Sequence, residues 1–303
     1  MKIAVHGLGR MGMQIAHKLA DSSEHEVIAH NRSKDKIDTA VAFGAISGYE
    51  KEDVLAAFGD EQVVLWLMLP ADIVDEEVDK WLALIPKGSI VIDGGNSDYR
   101  LTRKLAEHIE SAGSKLVDVG TSGGVWGYQN GFSMMAGAND KAAFDTLEPV
   151  LQTLAAPEGA YQYFGPAGSG HFVKMTHNAI EYGIMESLAE GYRILKEGPY
   201  DGLDLAAAGE VWQHHSVVTS WLNELTRDAL IENPTLEGID GFVAESGEAR
   251  WTLETAQELG IPMQSIQAAF DVRVASQQPE GRNFATKLLA AMRNKFGGHE
   301  LNK

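Results

Sequence analysis

Lys2-Ile-Ala-Val-His-Gly7-Leu-Gly9-Arg-Met-Gly12 is the stretch that decides the fold of the first half of the chain. Residues 2–5 have the apolar pattern of a short strand, and residues 13–21 have a helical pattern. Gly-x-Gly-x-x-Gly between a strand and a helix is the fingerprint of a dinucleotide-binding unit. Gly7 permits the tight turn, Gly9 lets the backbone approach a pyrophosphate, and Gly12 lets the helix pack on the strand. Free N–H groups at the helix N-terminus would meet the phosphates.

The alternative to a nucleotide site is a glycine-rich turn that binds nothing. If the site exists, the end of the second predicted strand (Glu26–His30) favours NADP over NAD. Asn31-Arg-Ser-Lys34 follows that strand, where an NAD site usually has Asp or Glu for the ribose 2′-hydroxyl. Donors and positive charge favour a 2′-phosphate instead. Arg32 could also only stack on adenine, and NAD would then be acceptable.

Further strand patterns occur at residues 62–69, 89–93 and 115–119, and a helical pattern at residues 72–85. Strands that alternate with helices predict a doubly wound parallel sheet. Such sheets bind ligands at the carboxyl ends of their strands. Asp93-Gly-Gly-Asn-Ser97 and Gly120-Thr-Ser-Gly-Gly124 follow two of these strands, so both loops are predicted to lie at the binding edge.

Strand patterns end near Gly165, and long helical patterns replace them. The first begins near His171 and continues to about Ile194; the others cover residues 204–230, 249–259, 264–276 and 283–295. The predicted fold is therefore α/β: an N-terminal doubly wound Rossmann-type domain at 1–165, then an all-α domain at 166–303 for substrate binding and oligomerisation. His214-His215 is interpreted as helix surface or packing, because adjacent residues do not face the same way.

The first of these helices carries four polar residues on one face. Lys174, His177, Asn178 and Glu181 stand at i, i+3, i+4 and i+7. A neighbouring stripe of Val173, Ile180, Ile184 and Leu188 is predicted to pack against the core. Taken alone, the polar face is more typical of a solvated surface with a Lys–Glu pair than of a catalytic site. Trp212, Trp221 and Trp251 are predicted to be core anchors.

Composition excludes several classes of function. The chain has 303 residues, no cysteine and a formal net charge of −18. Without cysteine there are no disulfides, no thiolate catalysis and no Cys-ligated metal. An acidic surface repels nucleic acid and anionic lipid, so neither is an expected partner. No apolar run approaches a membrane span, and the strand pattern at the N-terminus leaves no room for a signal peptide, so a cytoplasmic location is expected.

Ser122-Gly-Gly-Val-Trp-Gly127 together with residues 168–182 closely resembles the 6-phosphogluconate dehydrogenase family, in its short form within the β-hydroxyacid dehydrogenase superfamily. The resemblance extends to Leu67-Met-Leu-Pro70, to Asp93–Ser97 and to Ser246-Gly-Glu-Ala-Arg-Trp-Thr252. It implies oxidation of 6-phosphogluconate at C3 with reduction of NADP or NAD, followed by release of CO2 to give ribulose 5-phosphate. No metal is implied.

The resemblance also implies roles for individual residues. Lys174 is the expected general base at the C3 hydroxyl and Glu181 the expected general acid. His177 and Asn178 would hold C3 and its hydroxyl. The base must be neutral when it acts, which burial favours. The remaining expected substrate-binding residues are Asn96, Ser122, Gly123, Gly124, Tyr182, Arg250, Arg273, Arg293 and His299. The expected cofactor-binding residues are Gly7, Leu8, Gly9, Arg10, Met11, Gly12, Asn31, Arg32, Ser33, Met68, Leu69 and Asn96.

Among these residues, Tyr182, Arg250 and Arg273 would hold the 6-phosphate. The longer enzymes of the family commonly have Lys where Arg250 stands, which leaves its role open. Arg293-Asn-Lys-Phe-Gly-Gly-His299 resembles a family segment that enters the neighbouring subunit's active site. The alternative is a basic helix end that favourably meets the helix dipole. The resemblance implies a homodimer or homotetramer in which the C-terminal tail is exchanged.

Two rival functions stay open at this point. One is another β-hydroxyacid dehydrogenase, acting for instance on 3-hydroxyisobutyrate, which would not need His177, Glu181 and Tyr182 together. The other is a catalytically silent protein that only binds the cofactor.

Overall fold

The computed structural model describes residues 1–157 and 160–301. The chain divides into two compact units, Met1–Lys174 and Met175–Lys303. No helix of the described ranges combines the length and the apolar character that a membrane crossing requires. The boundary predicted between residues 165 and 166 stays a prediction.

The first unit is built on one eight-stranded sheet with the order β3-β2-β1-β4-β5-β6-β7-β8. The first six strands are parallel to one another. The strands are β1 (Lys2–His6), β2 (Glu26–His30), β3 (Ile46–Gly48), β4 (Val64–Leu67), β5 (Ile90–Asp93), β6 (Lys115–Ser122), β7 (Ser133–Gly137) and β8 (Tyr161–Tyr163).

One edge of the sheet, formed by strands that the sequence did not predict, is not fully parallel. β7 runs antiparallel to β6, with Val119 opposite Ala136, and β8 is parallel to β7. The connection from β6 to β7 covers only residues 123–132, which is too short for the crossover that a parallel strand needs. The α/β class of the unit is as predicted, but the sheet is mixed at this edge.

Helices cover both faces of the sheet. Along β1, Ile3 and Val5 belong to one apolar core and Ala4 to a second core on the opposite face. This alternation explains why the central strands are apolar throughout. The helices of the unit are α1 (Arg10–Ala20), α2 (Lys34–Ala42), α3 (Lys51–Phe58), α4 (Val74–Leu82), α5 (Tyr99–Ser111), α6 (Gly127–Asn130) and α7 (Lys141–Leu154). A single 3₁₀ turn, Gly124–Trp126, precedes α6.

The second unit is all-helical among its described residues. Helix α8 (Ser169–Glu197) starts in the first unit and continues into the second. The other helices are α9 (Leu205–Gln213), α10 (Trp221–Glu232), α11 (Glu248–Glu258), α12 (Gln264–Ala275) and α13 (Phe284–Gly297), with a 3₁₀ turn at Pro279–Gly281. Met185, Ala189 and Tyr192 of α8 pack with Leu288, Leu289 and Met292 of α13 in the main core of this unit.

The single helix predicted at residues 204–230 is wrong: the segment forms α9 and α10. His215 has a φ of 61°, outside the helical range. Ser220 then starts a new helix, because its hydroxyl accepts a hydrogen bond from the Asn223 N–H at 3.1 Å. His214 and His215 therefore lie in the break rather than on a helix surface. Trp221, predicted to be a core anchor, is 42% exposed at the first position of α10.

The apolar stripe predicted for α8 is wrong at two of its four residues, whereas Leu188 packs against the core as predicted. Ile180 and Ile184 are 51% and 44% exposed. The buried positions are instead Met175, Ala179, Tyr182, Met185, Ala189 and Tyr192. These residues also recur at helical spacing, so α8 carries two apolar stripes. The stripe that contains Tyr182 is the one that packs, and it includes two tyrosine rings and two methionines.

Candidate active site

The glycine-rich turn leaves an open space above the start of α1. Gly7 has a φ of 103°, and a Cβ there would lie 2.4 Å from the Met68 carbonyl oxygen. A Cβ at Gly12 would lie 1.9 Å from the Gly7 carbonyl oxygen, so the helix and the turn are in close contact. Apart from its two chain neighbours, no described residue comes within 4 Å of a Cβ built at Gly9. The turn is thus packed at its two ends and open in the middle, where a pyrophosphate would fit.

Asn31 ties the glycine-rich turn to the end of β2. Its Oδ1 accepts a hydrogen bond from the Leu8 N–H at 3.0 Å, and its Nδ2 donates to the Ser33 carbonyl at 3.2 Å. Arg32 is exposed beside this link. Lys34 is exposed as well, with its Nζ 3.9 Å from Glu50. The Asn31 amide therefore holds the loop in shape and leaves Arg32 and Lys34 as exposed cations.

Met68, Leu69 and Asn96 lie at the carboxyl ends of β4 and β5. Met68 and Leu69 are half-buried, and Asn96 is exposed. The Trp66 indole N–H donates to the Met68 sulfur at 3.1 Å, which fixes that side chain. Because β4 pairs with both β1 and β5, these residues share the sheet edge with the glycine-rich turn.

Ser122, Gly123 and Gly124 follow at the end of β6, and all three are half-buried. Gly123 and Gly124 have φ values of 137° and 57°, so the chain turns sharply into the 3₁₀ turn at this point. The backbone of this loop lies at the same carboxyl-end edge.

The first turn of α8 is held by a carboxylate of β6. Asp118 accepts hydrogen bonds from the Gly168 N–H at 2.7 Å and from the His171 N–H at 2.8 Å. Burial raises the pKa of Asp118, while the charge of His171 and these two N–H groups oppose that shift. An acceptor at the N-terminus of a helix satisfies N–H groups that have no partner in the helix.

Lys174 lies one turn further along α8 and is buried. Its stem packs against β6: a Cβ built at Gly120 would lie 2.3 Å from the Lys174 Cβ and 2.8 Å from its Cγ. Only glycine at position 120 permits this approach. The backbone of the strand and the stem of the lysine are therefore in direct contact.

A buried polar cluster lies beside this contact. His171 Nδ1 is 2.7 Å from the Thr102 hydroxyl and 3.8 Å from Asp93 Oδ2. Burial raises the pKa of Asp93 to about 7 and lowers the pKa of His171. Both shifts favour the neutral forms of the two side chains.

In the second unit, His177, Asn178 and Glu248 form a chain of hydrogen bonds. Asn178 Nδ2 donates to Glu248 Oε1 at 2.8 Å, and Asn178 Oδ1 lies 2.9 Å from His177 Nδ1. A carboxylate only accepts, so the Asn178 amide nitrogen must face Glu248. The amide oxygen then faces His177, whose Nδ1 must carry the proton. In neutral His177 this leaves Nε2 as a hydrogen-bond acceptor.

Tyr182 and Arg273 form the second group of this unit. The Arg273 guanidinium carbon lies 3.2 Å from the centre of the Tyr182 ring, and Nη2 is 3.5 Å from the Met185 sulfur. Burial lowers the pKa of Arg273 to about 10, and Tyr182 opposes that shift. Burial and repulsion from Glu190 raise the pKa of Glu186 to about 7, against the attraction of Arg273. The Tyr182 hydroxyl accepts a hydrogen bond from the Ser246 N–H at 3.3 Å.

The other predicted phosphate-binding cations differ in their surroundings. Arg250 is exposed, pairs with Glu245 and lies 5.7 Å above the Phe270 ring. Arg293 on α13 is buried, and its charge contributes to the lowered pKa of Arg273. The two arginines therefore lie near each other within one chain. The carbonyl of His299 accepts a hydrogen bond from Asn294 at 2.8 Å. No group of three or more His, Asp or Glu residues suited to a metal ion occurs in the described parts of the chain.

The structure thus collects the predicted residues in two groups. The cofactor loop, Asn96, Ser122–Gly124 and Lys174 belong to the first unit, and His177, Asn178, Glu181, Tyr182 and the arginines belong to the second. Sequence reasoning missed Asp118, Gly120 and Glu248. A single carboxylate in the otherwise apolar strand segment Leu116-Val-Asp-Val119 was an available signal for the first of these.

Comparison with known proteins identifies the family. Residues 2–165 match the NAD-binding domain of 6-phosphogluconate dehydrogenase, and residues 170–302 match the C-terminal domain of the same enzyme. The chain belongs to the 6-phosphogluconate dehydrogenase family. Members of this family are NAD(P)-dependent oxidoreductases, and the chain is one of them.

Relatives of the same length support this assignment. A Bacillus subtilis protein named for 6-phosphogluconate dehydrogenase is 36% identical over 303 residues, with full coverage of both chains. The NAD(+)-dependent, decarboxylating 6-phosphogluconate dehydrogenase of Haloferax volcanii is 35% identical, over 99% of this chain and 98% of the relative.

A solved structure of the family is also similar. The Plasmodium falciparum 6-phosphogluconate dehydrogenase, studied with its cofactor NADP+ and with its substrate 6-phosphogluconate, superposes with a TM-score of 0.81 at 27% identity. The match covers 91% of this chain and 62% of the Plasmodium chain. The chain thus has the length of the two relatives above and spans less than two thirds of the Plasmodium chain.

Proposed function

We propose that the chain oxidises and decarboxylates 6-phosphogluconate to ribulose 5-phosphate and CO2, with NADP as the oxidant. The observation that carries the proposal is the polar face of α8. Lys174 is buried there, and His177, Asn178 and Glu181 follow it one and two turns later on the same helix. The family to which the chain belongs supports the same reaction.

Each residue of this face has a separate task. Lys174 takes the proton of the C3 hydroxyl while a hydride leaves C3, and the bound nicotinamide cofactor supplies the hydride acceptor. The 3-keto acid then loses its carboxylate as CO2. Glu181 gives a proton to the carbon that becomes C1 of the product. Two turns of helix separate Lys174 from Glu181 by about 10 Å along the axis, which suits work at different carbons of one sugar chain.

The remaining residues orient the substrate. His177 Nε2 can accept a hydrogen bond from the substrate, because Nδ1 is committed to Asn178. Asn96 and the Ser122–Gly124 loop would bind the carboxylate and hydroxyls. Arg273, stacked on Tyr182, would bind the 6-phosphate with Arg293 and His299, since converging cations favour a dianion. Arg250 is proposed in the same role. Its guanidinium pairs with Glu245 and would leave this carboxylate to bind the phosphate.

The residues of the nucleotide loop fit a dinucleotide. The open space at Gly9 and the uncapped start of α1 would receive the pyrophosphate, and Arg32 would meet the 2′-phosphate. A comparison of kcat/KM for NADP and NAD tests the cofactor assignment, and a clear preference for NAD would overturn it. An Arg32→Ala variant should lose efficiency with NADP more than with NAD.

The active form is proposed to be a homodimer or homotetramer in the cytoplasm, with the C-terminal tail exchanged between subunits. The exposed Ile180 and Ile184 on α8 are apolar surface that an oligomer would cover.

One assay separates this function from its rivals. With 6-phosphogluconate and NADP, CO2 should be released in step with cofactor reduction. Another β-hydroxyacid dehydrogenase would release none, and a silent cofactor-binding protein would show no turnover. Lys174→Met should abolish turnover while NADP still binds. Substantial residual turnover in this variant would contradict the assignment of Lys174 as the base.

A further inference from the structure

We propose that Asp118 is a positioning residue for Lys174: it fixes the first turn of α8 against β6 and so sets where the lysine stands. This inference rests on the proposed role of Lys174 as the base. Asp118 itself is fully buried and lies in the interior of a strand, where an ionisable side chain is uncommon. Its two oxygens are engaged by the N–H groups of Gly168 and His171.

The surroundings of Asp118 are shaped for its carboxylate. A Cβ at Gly137 would lie 2.7 Å from Asp118 Oδ1, and a Cβ at Gly170 would lie 2.8 Å from Oδ2. Glycine at both positions lets the backbone of β7 and the first turn of α8 approach the carboxylate closely. The carboxylate thus replaces a capping side chain of α8 itself, and it reaches the helix from the neighbouring strand.

Lys174 is connected to this anchor by one turn of helix. Lys174 follows His171 by three positions, so the turn that Asp118 holds is the turn that carries the lysine. Asp118 and Gly120 are two residues apart on β6 and therefore face the same side of the sheet. The strand meets the helix twice: at the helix start through the Asp118 carboxylate, and at the Lys174 stem through the bare backbone of Gly120. Two points of attachment leave little freedom for the lysine to shift along or across the strand.

Two variants test the two contacts between β6 and α8, one contact each. Asp118→Asn keeps the shape but presents an amide NH2 to one of the two N–H groups, so one hydrogen bond is lost. Gly120→Ala keeps every hydrogen bond but places a methyl group against the Lys174 stem. Asp140→Asn is the matched control, because Asp140 caps α7 of the same unit through the Ala142 N–H at 2.9 Å. Asn is an equally good cap at that position.

The measurements are kcat and KM for 6-phosphogluconate, Kd for NADP, and the primary isotope effect with substrate deuterated at C3. A displacement of the base by about 1 Å should lower kcat by about 10- to 100-fold in both variants. Kd for NADP should stay within about twofold of wild type, because the nucleotide loop is untouched. The isotope effect should rise, since hydride transfer becomes more strongly rate-limiting when its partner base is misplaced. Asp140→Asn should change none of these values.

Loss of folded protein alone would lower apparent kcat without moving the isotope effect, so that pattern would overturn the proposal. An Asp118→Asn enzyme as active as Asp140→Asn would also overturn it. Lys174→Met is measured in parallel to separate the two proposals. If Lys174→Met is inactive while Asp118→Asn is normal, the general base stands and the positioning role fails. If Lys174→Met is active, the assignment of Lys174 as the base is wrong, and the positioning role of Asp118 is wrong as well.

Discussion

Glu248 determines how two neighbouring residues of the site present their hydrogen-bonding groups. It is almost completely buried, and its Oε1 accepts from Asn178 Nδ2. That bond orients the Asn178 amide and, through it, the tautomer of His177. Without Glu248 the Asn178 amide could rotate by 180°. Nε2 of His177 could then carry a proton where the proposed reaction requires a hydrogen-bond acceptor.

Glu248→Ala is therefore predicted to lower kcat with 6-phosphogluconate by about 10- to 100-fold, the equivalent of one hydrogen bond to a charged group. Glu248→Gln should retain most of the activity, because its amide oxygen can still accept from Asn178. Steady-state kinetics of the two variants are the measurement. Equal losses in both would show that the charge, rather than the orientation of Asn178, is what matters.

His6 makes the first unit sensitive to acid. It lies at the end of β1, where the Trp81 N–H donates to its Nδ1 at 3.0 Å. Burial, helped by the nearby His30, lowers the pKa of His6 from 6.5 to about 3. Below pH 6.5 His6 is therefore protonated in the unfolded chain but stays neutral in the folded chain. The free energy of unfolding falls as the pH drops from 6.5 towards 3.

At pH 5 this single group should cost about 2 kcal/mol of unfolding free energy relative to pH 7.5. His6→Gln keeps an acceptor for Trp81 and does not titrate. Denaturant unfolding measures the decrease in unfolding free energy between pH 7.5 and pH 5. We predict that this decrease is about 2 kcal/mol smaller in His6→Gln than in wild type. An identical pH dependence in the two proteins would mean that His6 is not the responsible group.

Whether the role of a residue could be predicted depends on how close its partners lie in the sequence. The nucleotide turn was predictable because Gly7, Gly9 and Gly12 act through their own backbone and through contacts near them in sequence. The partners of Asp118 and Glu248 lie 50 to 70 positions away along the chain. No spacing rule connects such positions, so the sequence predicted Asn178 as a site residue but not the carboxylate that orients it.

Among secondary-structure elements, strands buried on both faces were the most predictable. β1, β2, β4, β5 and β6 are apolar runs bounded by loops, and each was expected close to where it lies. The short strands β3 and β8 have three residues each, too few for a periodicity to be read. The break between α9 and α10 was missed because its residues, His214 to Ser220, include neither Gly nor Pro.

Helix α13 carries Arg293 and has a well-defined start. Asn283 Oδ1 accepts from the N–H groups of Ala285 at 2.8 Å and Thr286 at 3.3 Å, and the Thr286 hydroxyl accepts from the Asn283 N–H at 2.9 Å. This reciprocal arrangement is a capping box. Since α13 contributes Leu288, Leu289 and Met292 to the core, its start matters to the whole second unit.

Asn283→Ala is predicted to reduce the unfolding free energy by about 1 kcal/mol. Ser33→Ala is the matched control, because Ser33 starts α2 but its side chain makes no capping hydrogen bond. Thermal unfolding without cofactor and hydrogen exchange across the first turn of α13 are the measurements. Equal stability losses in the two variants would contradict the importance of the cap.

Taken as a whole, the molecule is strongly acidic yet keeps cations where an anionic substrate is proposed to bind. Its formal net charge is −18, whereas Arg273 and Arg293 are both buried within one unit. Two like charges in one interior repel each other, and that repulsion contributes to the lowered pKa of Arg273. A bound phosphate would relieve the repulsion. The proposed tail exchange implies that Arg293 of one chain serves the site of its partner.

Mixed oligomers of two inactive variants test the proposed tail exchange. Lys174→Met removes the proposed base from its own chain, and Arg293→Ala removes the arginine, so each variant alone should be inactive. If the tail is exchanged in a dimer, a mixed dimer contains one site with both Lys174 and Arg293. Random mixing of equal amounts makes half of the dimers mixed, so about one quarter of wild-type activity should return. If Arg293 serves its own chain, as its proximity to Arg273 would allow, every site lacks one residue and no activity returns. We predict recovery; its absence after verified subunit exchange would contradict tail exchange while leaving the roles of Lys174 and Arg293 intact.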